Sequence, residues 1–318
     1  MQSSRRTFLC SLTTAAAVAA LSRPAPAATA AAPGPRFYVA SLTPLDRSGR
    51  FDEALARDLF AFFRKNRVDG VVVLGTTGEF ASFSVSERKK ILEAMVKNRG
   101  NLEIICQVAT PNLPETLDLL DHAAGAGADK ALVLPPFYFK KPSVEGLTAF
   151  FTPVLEKARI PVLLYHIPGT SGVPISLDLV RNLSKYEKLY GIKDSSGSAE
   201  GLLAFIKEFP KLKTLTGSGR LISMALQNGG GGAITGNGNV IPGETSALFE
   251  DFQAGKDLTA AQTRLDEVSK IMPWDIPDMK FALGELGLHE SYCRPPFVEL
   301  SAEKKADLRS QIAQYKKV

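Results

Sequence analysis

From Arg36 onward, short uninterrupted apolar runs alternate with longer stretches in which apolar positions recur every three or four residues. Runs of the first kind, such as "GVVVLGTT" at 70–77, predict strands buried on both faces. Stretches of the second kind, such as "DEALARDLFAFFRKN" at 52–66, predict amphipathic helices. The predicted strands lie at 36–44, 70–77, 102–109, 130–136, 160–168, 189–195, 214–219 and 232–238. A helix is predicted after each, at 52–66, 84–98, 113–126, 143–158, 176–186, 199–209, 220–229 and 243–255. Ser84 and Glu87 have the spacing of a capping box at the start of the second helix. Doubly buried strands joined by helices require a parallel sheet with helices over it. Eight such units predict an α/β fold, a closed (β/α)8 TIM barrel over 36–255, with 256–318 as a C-terminal helical extension. A doubly wound open sheet is the structural alternative. Its dinucleotide-binding form is disfavoured, because no G-x-G-x-x-G follows the first strand.

Composition changes this picture little: 318 residues, 45% hydrophobic and 22% charged, is ordinary globular material. The net charge of +5 changes it more, because Arg5, Arg6 and Arg23 supply three of those charges. No concentrated basic run remains beyond them, so nucleic acid is not an expected partner. Those arginines belong to a leader in which a twin arginine precedes Thr7-Phe8-Leu9 and a short apolar run from Leu12 to Leu21. Ala25-Pro26-Ala27 and Ala28-Thr29-Ala30 are small-x-small cleavage candidates. Residues 1–28 therefore resemble a twin-arginine signal peptide, which predicts a periplasmic or secreted protein. The apolar run is too short to span a bilayer, so no membrane attachment is expected after processing. Cys106 and Cys293 would survive cleavage. Burial of Cys106 as a free thiol is the simpler reading, and a disulfide between the two is the alternative. His122, His166 and His289 have no ligand-like spacing, and no metal is expected.

In a barrel of this kind the chemistry sits where strands end. The polar residues there are Thr43, Gly75-Thr76-Thr77-Gly78-Glu79, Tyr138, Tyr165, His166, Lys193, Asp194, Ser218, Arg220, Thr235 and Asn237. Lys193 stands out. Its bland reading is a strand-end lysine reaching water. Against that, the neighbouring strand ends in Tyr165. Burial disfavours the charged form of an amine, and a neutral amine condenses with a ketone to form a Schiff base. Tyr165 could then move protons between amine, carbinolamine and substrate. "GTTGE" has a matching role: a glycine-flanked turn beginning at Gly75 offers backbone N–H groups and two hydroxyls to a carboxylate such as that of an α-keto acid. Its bland reading is a structural turn.

Six stretches now bear on family: "SLTPLD", "GTTGE", "PPFYFKKPSVEG", "YHIPGTSG", "GIKDSSG" and "CRPPF". In this order and on these elements, the chain from Phe37 to Phe297 resembles the dihydrodipicolinate synthase / N-acetylneuraminate lyase superfamily. That resemblance implies a cofactor-free barrel enzyme forming a lysine Schiff base with pyruvate or a related keto acid, commonly a homotetramer built as a dimer of dimers. It implies Lys193 as the Schiff-base lysine and Tyr165 as the proton-shuttling tyrosine. It further implies Thr77 as carboxylate ligand, Thr76 as a relay towards Tyr165, Tyr138 as a tyrosine lent across a dimer interface, and Ile234 as a wall of the keto-acid pocket.

Two departures bear on substrate. The synthases carry an arginine in the loop after the fifth strand for the aldehyde's carboxylate, and Thr170 stands at that position. The sialic acid lyases place an acidic pair after the seventh strand, where this chain has Gly219 and Arg220. Arg220 is a candidate for a substrate carboxylate, a surface or helix-start role being the alternative. The expected function is a Schiff-base lyase or aldolase joining or releasing pyruvate and an aldehyde, or acting on a 2-keto-3-deoxy acid. The alternatives are 4-hydroxy-tetrahydrodipicolinate synthase proper, a sugar-acid dehydratase, and a non-catalytic exported keto-acid-binding protein.

Overall fold

The structure is a computed structural model and describes residues 34–272, 275–288 and 290–315. The leader at 1–28 and His289 lie outside the described residues. Eight strands run β1 Arg36–Ala40, β2 Gly70–Val73, β3 Glu103–Gln107, β4 Lys130–Val133, β5 Val162–His166, β6 Leu189–Asp194, β7 Lys213–Thr216 and β8 Gly232–Thr235. They pair in parallel in chain order, and β8 closes onto β1. Closure excludes the open sheet.

Around the barrel lie α1 Glu53–Lys65, α2 Val85–Lys97, α3 Leu113–Ala126, α4 Val144–Lys157, a short α5 Pro168–Ser171, α6 Leu177–Leu183, α7 Ala199–Glu208, α8 Ile222–Gln227 and α9 Pro242–Gln253. The extension resolves into α10 Thr259–Ile271, α11 Ile276–Glu285 and α12 Ala302–Tyr315. Polar residues set where the helices begin. Asp52, Ser84, Asn112, Ser143, Ser176 and Ser198 each accept a bond from a first-turn backbone N–H. At Ser84 the capping box forms in full, with the Glu87 side chain returning to the Ser84 amide. Fixed helix starts fix the length of the loops between strand end and helix, which is where a barrel builds its site.

Three of the boundaries that differ from the expected ones are set by local hydrogen bonding. β1 stops at Ala40 because Asn239, wholly buried, takes over there: its Oδ1 accepts from Leu42 N at 2.9 Å and its Nδ2 donates to the Ala40 carbonyl at 2.7 Å. The run expected as strand to 168 turns at Ile167 into α5, whose last amides bond back to Ile167 and Pro168. The helix expected from 220 begins as a 3-10 turn, Gly219–Leu221, before α8. Cys106 is buried and Cys293 half-buried, and both are free thiols. The disulfide alternative therefore fails. Burial pushes both thiols up to about 12, which keeps them protonated and inert at neutral pH.

Candidate active site

Lys193 and Tyr165 are opposite each other in the β5–β6 ladder. Paired residues in neighbouring strands point to the same face, so both side chains enter the barrel. Only 4% of Lys193 and 3% of Tyr165 is exposed, and the lysine Nζ lies 4.2 Å from the centre of the tyrosine ring. The bland reading of Lys193 as a lysine reaching water is therefore wrong.

The phenol is electrostatically tuned. Burial by itself raises its proton affinity. The charge of Lys193, together with bonds from Thr76, Lys193 and Ser195, overcomes that and holds the Tyr165 phenol below the ordinary tyrosine value. A phenol so placed gives up its proton more readily than one in water. Ser195 is absent from the sequence-based set; its signal was only its place beside Lys193 and Asp194. Gly217 makes room for it, since a Cβ there would fall 2.0 Å from the Ser195 hydroxyl.

His166, at the end of β5, plays another part. Its Nδ1 accepts the Ile175 amide at 3.0 Å, and its ring packs edge-on against Phe205 at 5.6 Å. Burial lowers its pKa against the opposing pull of Asp194, so it braces the loop after β5 as a neutral ring.

The Gly75–Glu79 turn follows β2 and faces this pair. Its backbone is unusual at both ends: Leu74 and Glu79 have φ of 54° and 56°, a left-handed conformation rarely adopted by side-chain-bearing residues. Gly78 is required by space, because a Cβ there would meet the Ser41 carbonyl at 3.0 Å and Thr43 Oγ1 at 3.1 Å. Thr43 donates to the Gly78 carbonyl at 2.7 Å. What holds Glu79 in place is a contact that sequence reasoning missed. Its carboxylate is buried against Lys280 of α11 at 2.6 Å, both side chains being almost wholly enclosed. The backbone N–H of Arg294 donates to the same carboxylate at 3.1 Å. Arg294 then spans the loop with bonds to Gly49 O at 2.8 Å, Ser82 O at 2.8 Å and Glu87 at 2.6 Å. The "CRPPF" stretch thus clamps the turn that carries Thr76 and Thr77.

The other sequence-predicted residues fall as follows. Gly75 is buried in the turn, while Thr76 and Thr77 are half-buried. Ile234 is buried on β8, and the register Lys193–Leu215–Gly232 puts it, two residues beyond Gly232, on the inward face with Lys193. Thr170 is exposed on α5 and lines an apolar cavity of about 310 Å³ with Thr76, Phe80, Phe137, Ile167 and Phe297. Arg220 lies on the opposite side, in a cavity of about 690 Å³ that Thr77 shares. Tyr138 is not brought to the site within one chain: it is 74% exposed and stacks edge-on against Phe139, itself 70% exposed. Among the described residues no group of three or more His, Cys, Asp or Glu could hold a metal ion.

Comparison with known proteins agrees with this fold. A family model of the dihydrodipicolinate synthetase family matches residues 35–315. A DapA-like lyase of Chloroflexus aurantiacus is 38% identical over 279 residues, covering 85% of this chain and 93% of the relative. A 4-hydroxy-tetrahydrodipicolinate synthase of Methanococcoides burtonii is 31% identical, over 83% of this chain and 92% of its own. Among solved structures, YagE, a prophage protein of the dihydrodipicolinic acid synthase family from E. coli K12, in complex with pyruvate, superposes with a TM-score of 0.83. It is 26% identical and covers 88% of this chain and 98% of its own.

Proposed function

The chain belongs to the dihydrodipicolinate synthetase family of aldolase-type lyases, and from that premise we propose that Lys193 captures the carbonyl of pyruvate or of a 2-keto-3-deoxy acid. Once it has given up its proton, the amine of Lys193 attacks C2 of the keto acid to give a carbinolamine. Water leaves, and the resulting iminium withdraws electrons from C3. Loss of a C3 proton gives an enamine that can form a bond to the aldehyde carbon that becomes C4 or expel a C4 hydroxyl, and cleavage of C3–C4 gives an enamine in the same way. Tyr165 carries the protons these steps release and consume, with the Thr76 hydroxyl on its phenol as the next link. Thr77 and the turn starting at Gly75 hold the carboxylate, and Ile234 closes the wall.

One observation carries this reading: a lysine shut away from water over the face of an equally buried tyrosine. Its test is reduction by borohydride in the presence of pyruvate. The expected product is one irreversible adduct per chain, mapped to the peptide bearing Lys193. A chain left unmodified where a known family enzyme is trapped would overturn it.

The active unit is proposed to be a homo-oligomer. The exposed Tyr138–Phe139 pair and the apolar cavity beside Thr76 are complementary in kind, which suits a second copy inserting Tyr138 next to Thr76. Sedimentation of the folded protein should then show no monomer at micromolar concentration. Export by the twin-arginine route is proposed on the leader alone, and replacing Arg5 and Arg6 by lysine should leave the protein in the cytoplasm. Recovery of mature protein from the periplasm regardless of those arginines would count against that route.

A further inference from the structure

The larger cavity at the barrel mouth has features that a pyruvate site does not use. It measures about 690 Å³ and runs from Thr77 between the ends of β7 and β8 to the wall made by α10. Pyruvate would occupy a small part of it. One polar atom of a residue that lines it, Asn237 Oδ1, is buried without a hydrogen-bond partner, on a side chain only 8% exposed. Buried polar atoms are nearly always satisfied, and an orphaned one at a cavity wall points to a ligand that supplies the missing bond. Asn237 Oδ1 is an acceptor, so the group it suits is a hydroxyl. Room for it is built in. A Cβ at Gly219 would stand 2.8 Å from Asn237 Nδ2, so any larger residue would displace the amide.

The far wall has a different character. Arg220 and Lys270 both line it, and neither has an ion-pair partner among the described residues. Asp266 supplies one negative charge on the same wall, already accepting from Gln262 Nε2 at 2.9 Å. Gln262 also donates to Gly219 O at 3.0 Å and accepts from Ser223 N at 3.0 Å, so α10 is pinned to the loop that carries Arg220. The extension therefore finishes the cavity and leaves it net cationic. On the opposite side of the mouth, where Thr170 lies, the cavity is apolar. Charge for a substrate's second anion exists only on the β7–β8 side of these two cavities.

Resting on the Schiff-base reading above, we infer that the substrate is a hydroxylated 2-keto acid carrying a second anionic group at its far end. The near carboxylate lies at Thr77, a hydroxyl on Asn237, and the terminal anion between Arg220 and Lys270. A charge-assisted contact of this kind is the strong sort, and Arg can engage a carboxylate or a phosphate with two parallel bonds. A terminal carboxylate and a terminal phosphate share that chemistry.

The experiment compares kcat/KM for three chemical classes, in both epimeric series at C4. These are 2-keto-3-deoxy sugar acids ending in a primary alcohol, the same acids phosphorylated at that end, and the corresponding diacids. Substrate loss is followed, so that cleavage and dehydration both count. One anionic class should exceed the alcohol by at least about tenfold, the scale of a charge-assisted contact; which class does so identifies the anion. In the Arg220→Gln/Lys270→Gln double variant that ratio should fall to within about threefold of unity. The inference is overturned if the alcohol is used as well as the anions, or if the ratio is unmoved in the double variant. It is equally overturned if no class is consumed while wild-type protein still traps pyruvate on Lys193. Failure of that trapping would bring down the Schiff-base reading with it.

Discussion

Lys193→Met should fold normally and lose at least about 10⁴-fold in turnover, the scale seen when a covalent nucleophile is removed. Methionine matches the lysine stem in length and suits a site that is only 4% exposed. Its fold should therefore survive, which far-UV dichroism and a melting curve would verify. The borohydride adduct should vanish with the activity. A second consequence is specific to this geometry. The Tyr165 phenol is held down by the Lys193 charge and by bonds from Thr76, Lys193 and Ser195, in opposition to burial. Removing the lysine leaves burial much less opposed, so the phenol should titrate at higher pH than in the parent, readable as a tyrosinate absorbance difference between the two proteins. Lys193→Arg should be equally inactive, since a guanidinium stays protonated and cannot condense with a carbonyl. Measurable pyruvate adduct in either variant would remove the lysine from the mechanism.

That pair of residues was legible because a strand repeats simply. Unbroken runs such as Val71–Val73 and Val162–Leu164 announce strands buried on both faces, and a polar residue at the end of such a run has to be explained. Closure in chain order then follows from eight like units, and Tyr165 and Lys193 fall into register. Long-range polar contacts were not legible. Arg294 meets Glu79 from 215 positions away, and Asn239 meets Leu42 from 197, distances that no periodicity encodes. Lys280 is the plainest case. In sequence it is one cation in "IPDMKFALGE", indistinguishable from a lysine whose stem lies along a helix while its amine reaches water. Tyr138 shows the opposite limit: its place on a loop was legible, yet a single chain leaves it in solvent.

Lys280→Met should be among the most damaging substitutions in the extension, although α11 contributes no atom to the proposed chemistry. The Glu79 carboxylate would remain buried with its counterion gone. Breaking such a pair from one side costs about 3–5 kcal/mol, because an uncompensated charge is left in an enclosed site. For a chain of this size that corresponds to a fall of roughly 6–10 °C in Tm. Adding Glu79→Gln should recover most of the loss, since the amide can still accept the Arg294 N–H and no charge is left stranded. Catalysis should not recover in parallel. Glu79 closes the turn in a left-handed conformation that costs about 1–2 kcal/mol for a side-chain-bearing residue, and the bond to Lys280 is what fixes it there. With a neutral amide facing a thioether, the turn is free to relax, carrying Thr76 from the Tyr165 phenol and Thr77 from the substrate carboxylate. The double variant should therefore melt near the parent yet show kcat reduced by about tenfold or more with a raised KM, the mark of lost positioning. A double variant that regains stability and full kcat together would show that the extension only steadies the barrel and leaves the geometry of the turn to β2 itself.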